Sequence, residues 1–225
     1  MAHRLTGIPL CGTVALLLLA ASLLPTDLAM AQGFRSEPRY EVTGFREARF
    51  GMTEQEVRQT AKSSFGADDG DMTQNTIADD GTSKLIVHVR TIDSGLGAGR
   101  IEYFFGYRQR RLFRVNVVWG LDTNPNNSGV IAGAVRLQRY FLGFAWANRS
   151  VRTGVPIDSR AVLLFSGADG KNGAVSLIVE GIQYRLGPDG TVTLLPEPLS
   201  RPKLTISYTD ELNEPDVRSI GRGEF

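Results

Sequence analysis

Phe50-Gly51-Met52-Thr53-Glu54-Gln55-Glu56-Val57 carries the firmest local instruction in the chain. Thr53 is an N-cap residue, and Glu56 stands three positions on, where its carboxylate can return to the Thr53 backbone N–H and complete a capping box. Met52 is placed to staple against Val57 across the first turn. Val57, Ala61 and Phe65 then recur every four residues on one helical face, and Gly66 offers a left-handed stop. The spacing predicts an amphipathic helix over Glu54–Phe65.

From Asp71 onward the period changes to two, which marks a sheet. Strands are expected over 72–78, 84–91, 100–107 and 112–119, with an Asp79-Asp80-Gly81 hairpin turn and a tight turn at 108–110. Leu85, Val87 and Val89 share one side; so do Ile101, Tyr103, Phe105 and Tyr107, and again Phe113, Val115, Val117 and Trp119. After a turn-rich connection at 121–128, Ala134, Leu137, Tyr140, Phe141, Phe144 and Ala145 supply the apolar positions of a second helix. Strands at about 150–154, 161–166, 174–183 and 203–208 follow, with a hairpin at 169–173.

The order helix then four strands thus occurs twice, and the expected fold class is α+β: two tandem modules, each one helix packed on a four-stranded antiparallel meander. The modules would occupy 50–121 and 127–209, after a polar lead at 32–49 and before a polar tail at 210–225 expected to be disordered. One α+β domain with an irregular second half is the other reading of the same pattern.

Upstream of the lead, His3 and Arg4 precede thirteen nearly apolar residues from Gly12 to Leu24. That run is shorter than the roughly 20 residues a spanning helix needs. Ala29 and Ala31 place small side chains where a signal peptidase reads, so 1–31 is expected to be a signal peptide cleaved before Gln32. No transmembrane segment would remain, and the destination would be periplasmic or extracellular. Cys11 precedes the apolar run and lacks a lipobox, so it would leave with the signal. Disulfides, thiol chemistry and cysteine–metal sites are then excluded together.

Removing 31 of the 225 residues leaves 194, enough for one ordinary domain or two small ones. The net charge of +1 supplies no global field to recruit nucleic acid.

The Gly51-to-Val57 opening, followed by a short helix and a meander, resembles the small αβ module of the SmpA/OmlA (BamE-like) outer-membrane assembly lipoproteins. Two such modules in tandem resemble the β-lactamase inhibitor protein. The motif covers about residues 50–66, with no lipidated cysteine and no second copy at Ser128. The resemblance implies a protein-binding role, and no functional residue is carried over from it.

For chemistry, His88 is the single histidine after the expected cleavage, on a strand side shared with Ile86 and Arg90. A catalytic use lacks an accompanying nucleophile motif. Ser166, between Phe165 and Gly167, reads as a strand end. Asp68, Asp69, Asp71, Asp79 and Asp80 do not match a calcium loop, and Gly70 and Gly81 explain them as turns. Gly95, Gly97 and Gly99 join two strands and open no helix, which removes a phosphate cradle.

No metal or cofactor is expected. Glu102 and Glu180 are the one carboxylate pair worth testing for catalysis, although the chain leans away from an enzyme. Arg108, Arg110 and Arg111 cluster at a hairpin tip near Phe104 and Tyr107, and these five are the candidate binding residues. The expected function is a non-catalytic, periplasmic protein-interaction or envelope-assembly module with a protein partner. The alternative is a lipid or small-ligand binder, with a pocket lined by Phe141, Phe144 and Trp146.

Overall fold

A computed structural model describes residues 38–77, 81–120, 127–195, 201–210 and 216–218, all within the compact unit Ser36–Phe225. The expected signal peptide with Ala29, Ala31 and Gln32, the Asp79-Asp80 turn, the 121–126 connection and most of the 210–225 tail lie outside the described residues.

The helix α1 (Glu54–Phe65) forms as its capping box dictates. The Thr53 backbone N–H donates to Glu56 Oε2 at 2.7 Å, Glu56 N–H donates to Thr53 Oγ1 at 3.3 Å, and Gly66 ends the helix at φ 63°. Losing such a cap costs about 1 kcal/mol. Val57 and Ala61 point into the core.

Before α1, in the stretch read as a polar lead, β1 (Gly44–Phe45) and β2 (Ala48–Arg49) make a small hairpin. Its Phe45 ring reaches Phe65 of α1 and a tyrosine of the main sheet, Tyr208, at centroid distances of 6.4 and 5.5 Å. Sequence periodicity could not show this element, because two-residue strands have no period.

Then come β3 (Met72–Thr76), β4 (Ser83–Asp93), β5 (Gly97–Phe105), β6 (Leu112–Gly120), α2 (Asn127–Leu142), β7 (Arg152–Asp158), β8 (Ala161–Ala168), β9 (Ala174–Glu180), β10 (Tyr184–Leu186), β11 (Val192–Leu194) and β12 (Lys203–Thr209). β10 and β11 form a separate hairpin.

The two-module expectation is corrected here. The molecule is mostly β, and its main sheet is a single eight-stranded antiparallel sheet in the order β3-β4-β5-β6-β12-β9-β8-β7. β12 is the reason. It pairs with β6 on one side and β9 on the other, so that Ile206 stands opposite both Val117 and Leu177. Without it, β6 would expose a nine-residue row of backbone groups beside Val115, Val117 and Trp119, and a long apolar edge of that kind is a liability. Fusion of the halves satisfies both edges at once.

One core results. Leu85, Val87, Ile101, Tyr103, Val115, Val117, Leu204, Ile206, Leu177, Val179, Val162 and Phe165 all face the same side, where both helices pack. α1 lies against β4, and α2 lies against β8, β9, β12 and β6. Burial raises the phenols of that core: Tyr208 goes well above its usual range, Tyr103 likewise, and Tyr40, beside Tyr140, goes up to about 12.

Candidate functional site

Pleating sends every second residue of the sheet to the side away from the helices. Three cross-strand rows occupy that open face. One runs Ile86, Glu102, Asn116, Ser207, Ser176, Ser166. A second runs His88, Arg100, Val118, Thr205, Ile178, Leu163, and a third Lys84, Phe104, Arg114, Thr209, Ala174.

A solvated face of an antiparallel sheet reads as polar, but this one does not. Ile86, Val118, Ile178 and Leu163 alternate with charges, and Phe104 is only 9 % and Val118 only 3 % exposed. Phe104 lies between two cations, with Lys84 Nζ 5.6 Å and the Arg114 guanidinium 5.8 Å from its ring centroid. Glu102 accepts from Arg100 Nε at 2.9 Å and sits 3.9 Å from Lys84 Nζ. Asn116 Oδ1 is buried in the same row and meets no donor among the described residues.

The face is locally basic. β4, β5 and β6 place Lys84, Arg90, Arg100 and Arg114 on it against Glu102, while Asp93 of β4 is taken by Arg136 of α2 at 2.5 Å. His88 is exposed here, as its strand position predicts, and with Asp71, Arg90 and Arg100 it lines a depression of about 260 Å³.

The five candidate binding residues are not held as one patch. Phe104 belongs to the open face. Tyr107 lies against Gly81, where a Cβ would come within 2.4 Å of the ring, and the Arg110 guanidinium is 6.0 Å from the Tyr107 centroid. Arg111 turns back toward α1, donating to Gly51 O at 3.3 Å and approaching Glu56 at 4.0 Å. Arg108 contributes its backbone: its N–H and that of Gln109 donate to the carboxylate of Asp216, a contact no local sequence pattern announces.

The carboxylate pair is not assembled. Glu102 on β5 and Glu180 on β9 are separated by β6 and β12, about 14 Å across the sheet at the usual strand spacing. Glu180 is paired instead with Lys203. Ser166 is the strand residue it was read to be, on the open face of β8. Asp68 caps a single 3-10 turn over Asp69–Asp71 and receives the Gly70 N–H at 2.8 Å, which is turn chemistry. Among the described residues no three His, Cys, Asp or Glu converge as a metal site.

The proposed ligand pocket around Phe141, Phe144 and Trp146 is largely core. Phe141 stacks on Phe165 at 5.4 Å, Trp146 stacks on Tyr40 at 4.8 Å, and Trp146 Nε1 donates to Phe141 O at 2.8 Å. Phe144 and Trp146 also touch a surface depression of about 460 Å³ beside Leu142 and Val151. No helix among the described residues is long and apolar enough to cross a membrane. Comparison with family models, with curated proteins and with solved structures finds no match to the chain.

Proposed function

We propose that this chain is an exported, periplasmic, non-catalytic interaction module that docks an acidic protein surface on the open face of its sheet. The observation that supports the reading is charge placement. A chain of net charge +1 places Lys84, Arg90, Arg100 and Arg114 on one sheet face, with Lys84 and Arg114 flanking Phe104 and Glu102 set between Arg100 and Lys84. Interfaces favour this mixture of aromatic and arginine anchors among apolar contacts.

Photo-crosslinking in intact cells tests it, with reactive side chains at Phe104 and, on α2, at Tyr140. The expected result is capture of an acidic protein at Phe104, lost when Lys84→Glu and Arg114→Glu are combined, with Tyr140 silent. Capture that survives the double substitution sinks the reading. N-terminal sequencing of the cellular protein should begin at Gln32, and a chain beginning at Met1 would remove the exported assignment.

A second reading, a lipid or small-ligand binder, draws on the depression lined by Leu142, 46 % exposed, and Phe144, whose ring meets that of Tyr140, 53 % exposed. Lipid captured at Tyr140, with nothing at Phe104, would favour it.

A further inference from the structure

We infer that the tip of the β5–β6 hairpin is a carboxylate-binding site for an acidic peptide segment, which the chain fills in cis with its own Asp216. The assignment does not depend on docking at the open face. Successive backbone amides converge on one side chain: Arg108 N–H donates to Asp216 Oδ1 at 3.1 Å and to Oδ2 at 3.2 Å, and Gln109 N–H donates to Oδ2 at 2.8 Å. Tyr107 N–H holds the Asp216 main-chain carbonyl at 2.8 Å. Amides arranged in this way form an anion-binding nest.

Gly106 is what makes room. A Cβ there would stand 2.2 Å from Asp216 Oδ2, and all three of its nearest neighbours are Asp216 atoms. Its φ lies outside the left-handed region, so the backbone alone does not require glycine. The missing side chain is space for the carboxylate.

Among the described residues, the tip also sets Arg108, Arg110 and Arg111 beside the single carboxylate of Asp216. Among the described residues neither Arg108 nor Arg110 makes an ion pair, and Arg111 reaches Glu56 only at 4.0 Å. A latch of solvent-exposed polar bonds opens easily, and a tethered ligand competes at an effective concentration in the millimolar range. A segment with several carboxylates can offset that advantage by pairing with Arg108 and Arg110 as well as filling the nest.

The test uses the full chain, its Asp216→Ala variant, the Gly106→Ala/Asp216→Ala double variant, and a fluorescent synthetic peptide spanning residues 210–220. Amide exchange at Arg108 and Gln109 should quicken in Asp216→Ala and slow again on saturation with peptide. The peptide should bind Asp216→Ala at least tenfold more tightly than the unmodified chain, and should lose that binding in the double variant. A peptide carrying Asn in place of its aspartate at 216 should not bind. Circular dichroism confirms that both variants are folded.

Unchanged exchange in Asp216→Ala would overturn the inference, and so would peptide that fails to restore protection. Restoration by inorganic phosphate but not by peptide would refute the peptide class. Equal binding to the double variant would place the peptide elsewhere.

Discussion

The Asp169 carboxylate accepts the backbone N–H of Val42 at 3.0 Å across 127 residues of sequence. Its other oxygen receives Lys171 N–H at 2.7 Å and Gly173 N–H at 3.0 Å, so one buried side chain shapes the β8–β9 turn and fastens the segment leading into β1. Asp169→Asn presents an amide N–H to at least one of these donors. The expected loss is about 1–3 kcal/mol, the cost of an unsatisfied buried donor. Denaturant unfolding would measure it, with faster amide exchange at Val42 as the local signature.

Glu56 gives an acid-side prediction. The backbone and side-chain hydrogen bonds from Thr53 hold its carboxyl below the usual value of 4.5. A depressed folded pKa contributes stability above the unfolded value, lost as pH falls through the folded one. The Tm of the native chain should therefore drop more between pH 6 and pH 3 than that of Glu56→Gln. Parallel Tm curves for the two chains would show that the capping box does not titrate.

On the alkaline side, desolvation raises Tyr40 to about 12 and pushes Tyr103 and Tyr208 up as well. With raised folded values, the stability is whole below pH 10 and falls as pH climbs from about 10 through 12. Phenolate absorbance from Tyr40, Tyr103 and Tyr208 should be delayed and appear together with loss of the near-UV circular dichroism. Ionisation of these three near pH 10 in a folded chain would contradict the burial argument.

Gly120 ends β6 at φ 91°, and a Cβ there would lie 2.0 Å from Pro202 O. Strain and clash act at the point where β12 meets β6. Gly120→Ala should cost at least about 2 kcal/mol. A chain of unchanged Tm would mean that this junction relaxes without loss.

How much of this was legible can be argued from single elements. The bounds of α1 could be read because Thr53, Glu56 and Gly66 act within one turn of the residues they cap. The alternation at Leu85, Val87 and Val89 marked a strand and its inner side, and a strand at 203–208 was legible as well. Which strand lies beside which is a different matter. The pairing of Ile206 with both Val117 and Leu177 depends on partners far apart in sequence, and local periodicity is identical whether β12 closes one sheet or edges another.

The candidate site divides the same way. The outward direction of Phe104 follows from parity with Tyr103 and Phe105, whereas the cations around it come from β4 and β6 and required the register. Arginines at a hairpin tip were visible, but the ligand of that tip was not, because Asp216 approaches from more than a hundred residues away.

A chain that emerges from the ribosome N-terminus first makes its central strand last. Until residues 203–209 are out, β6 and β9 each present an open edge, and neither half of the sheet has a neighbour to close on. Completion of the sheet therefore waits for residues 203–209, which close both edges in one step. We expect purified chains truncated after residue 200 to be digested by protease and the full chain to resist it. Equal resistance of the two would show that the halves settle without their shared strand.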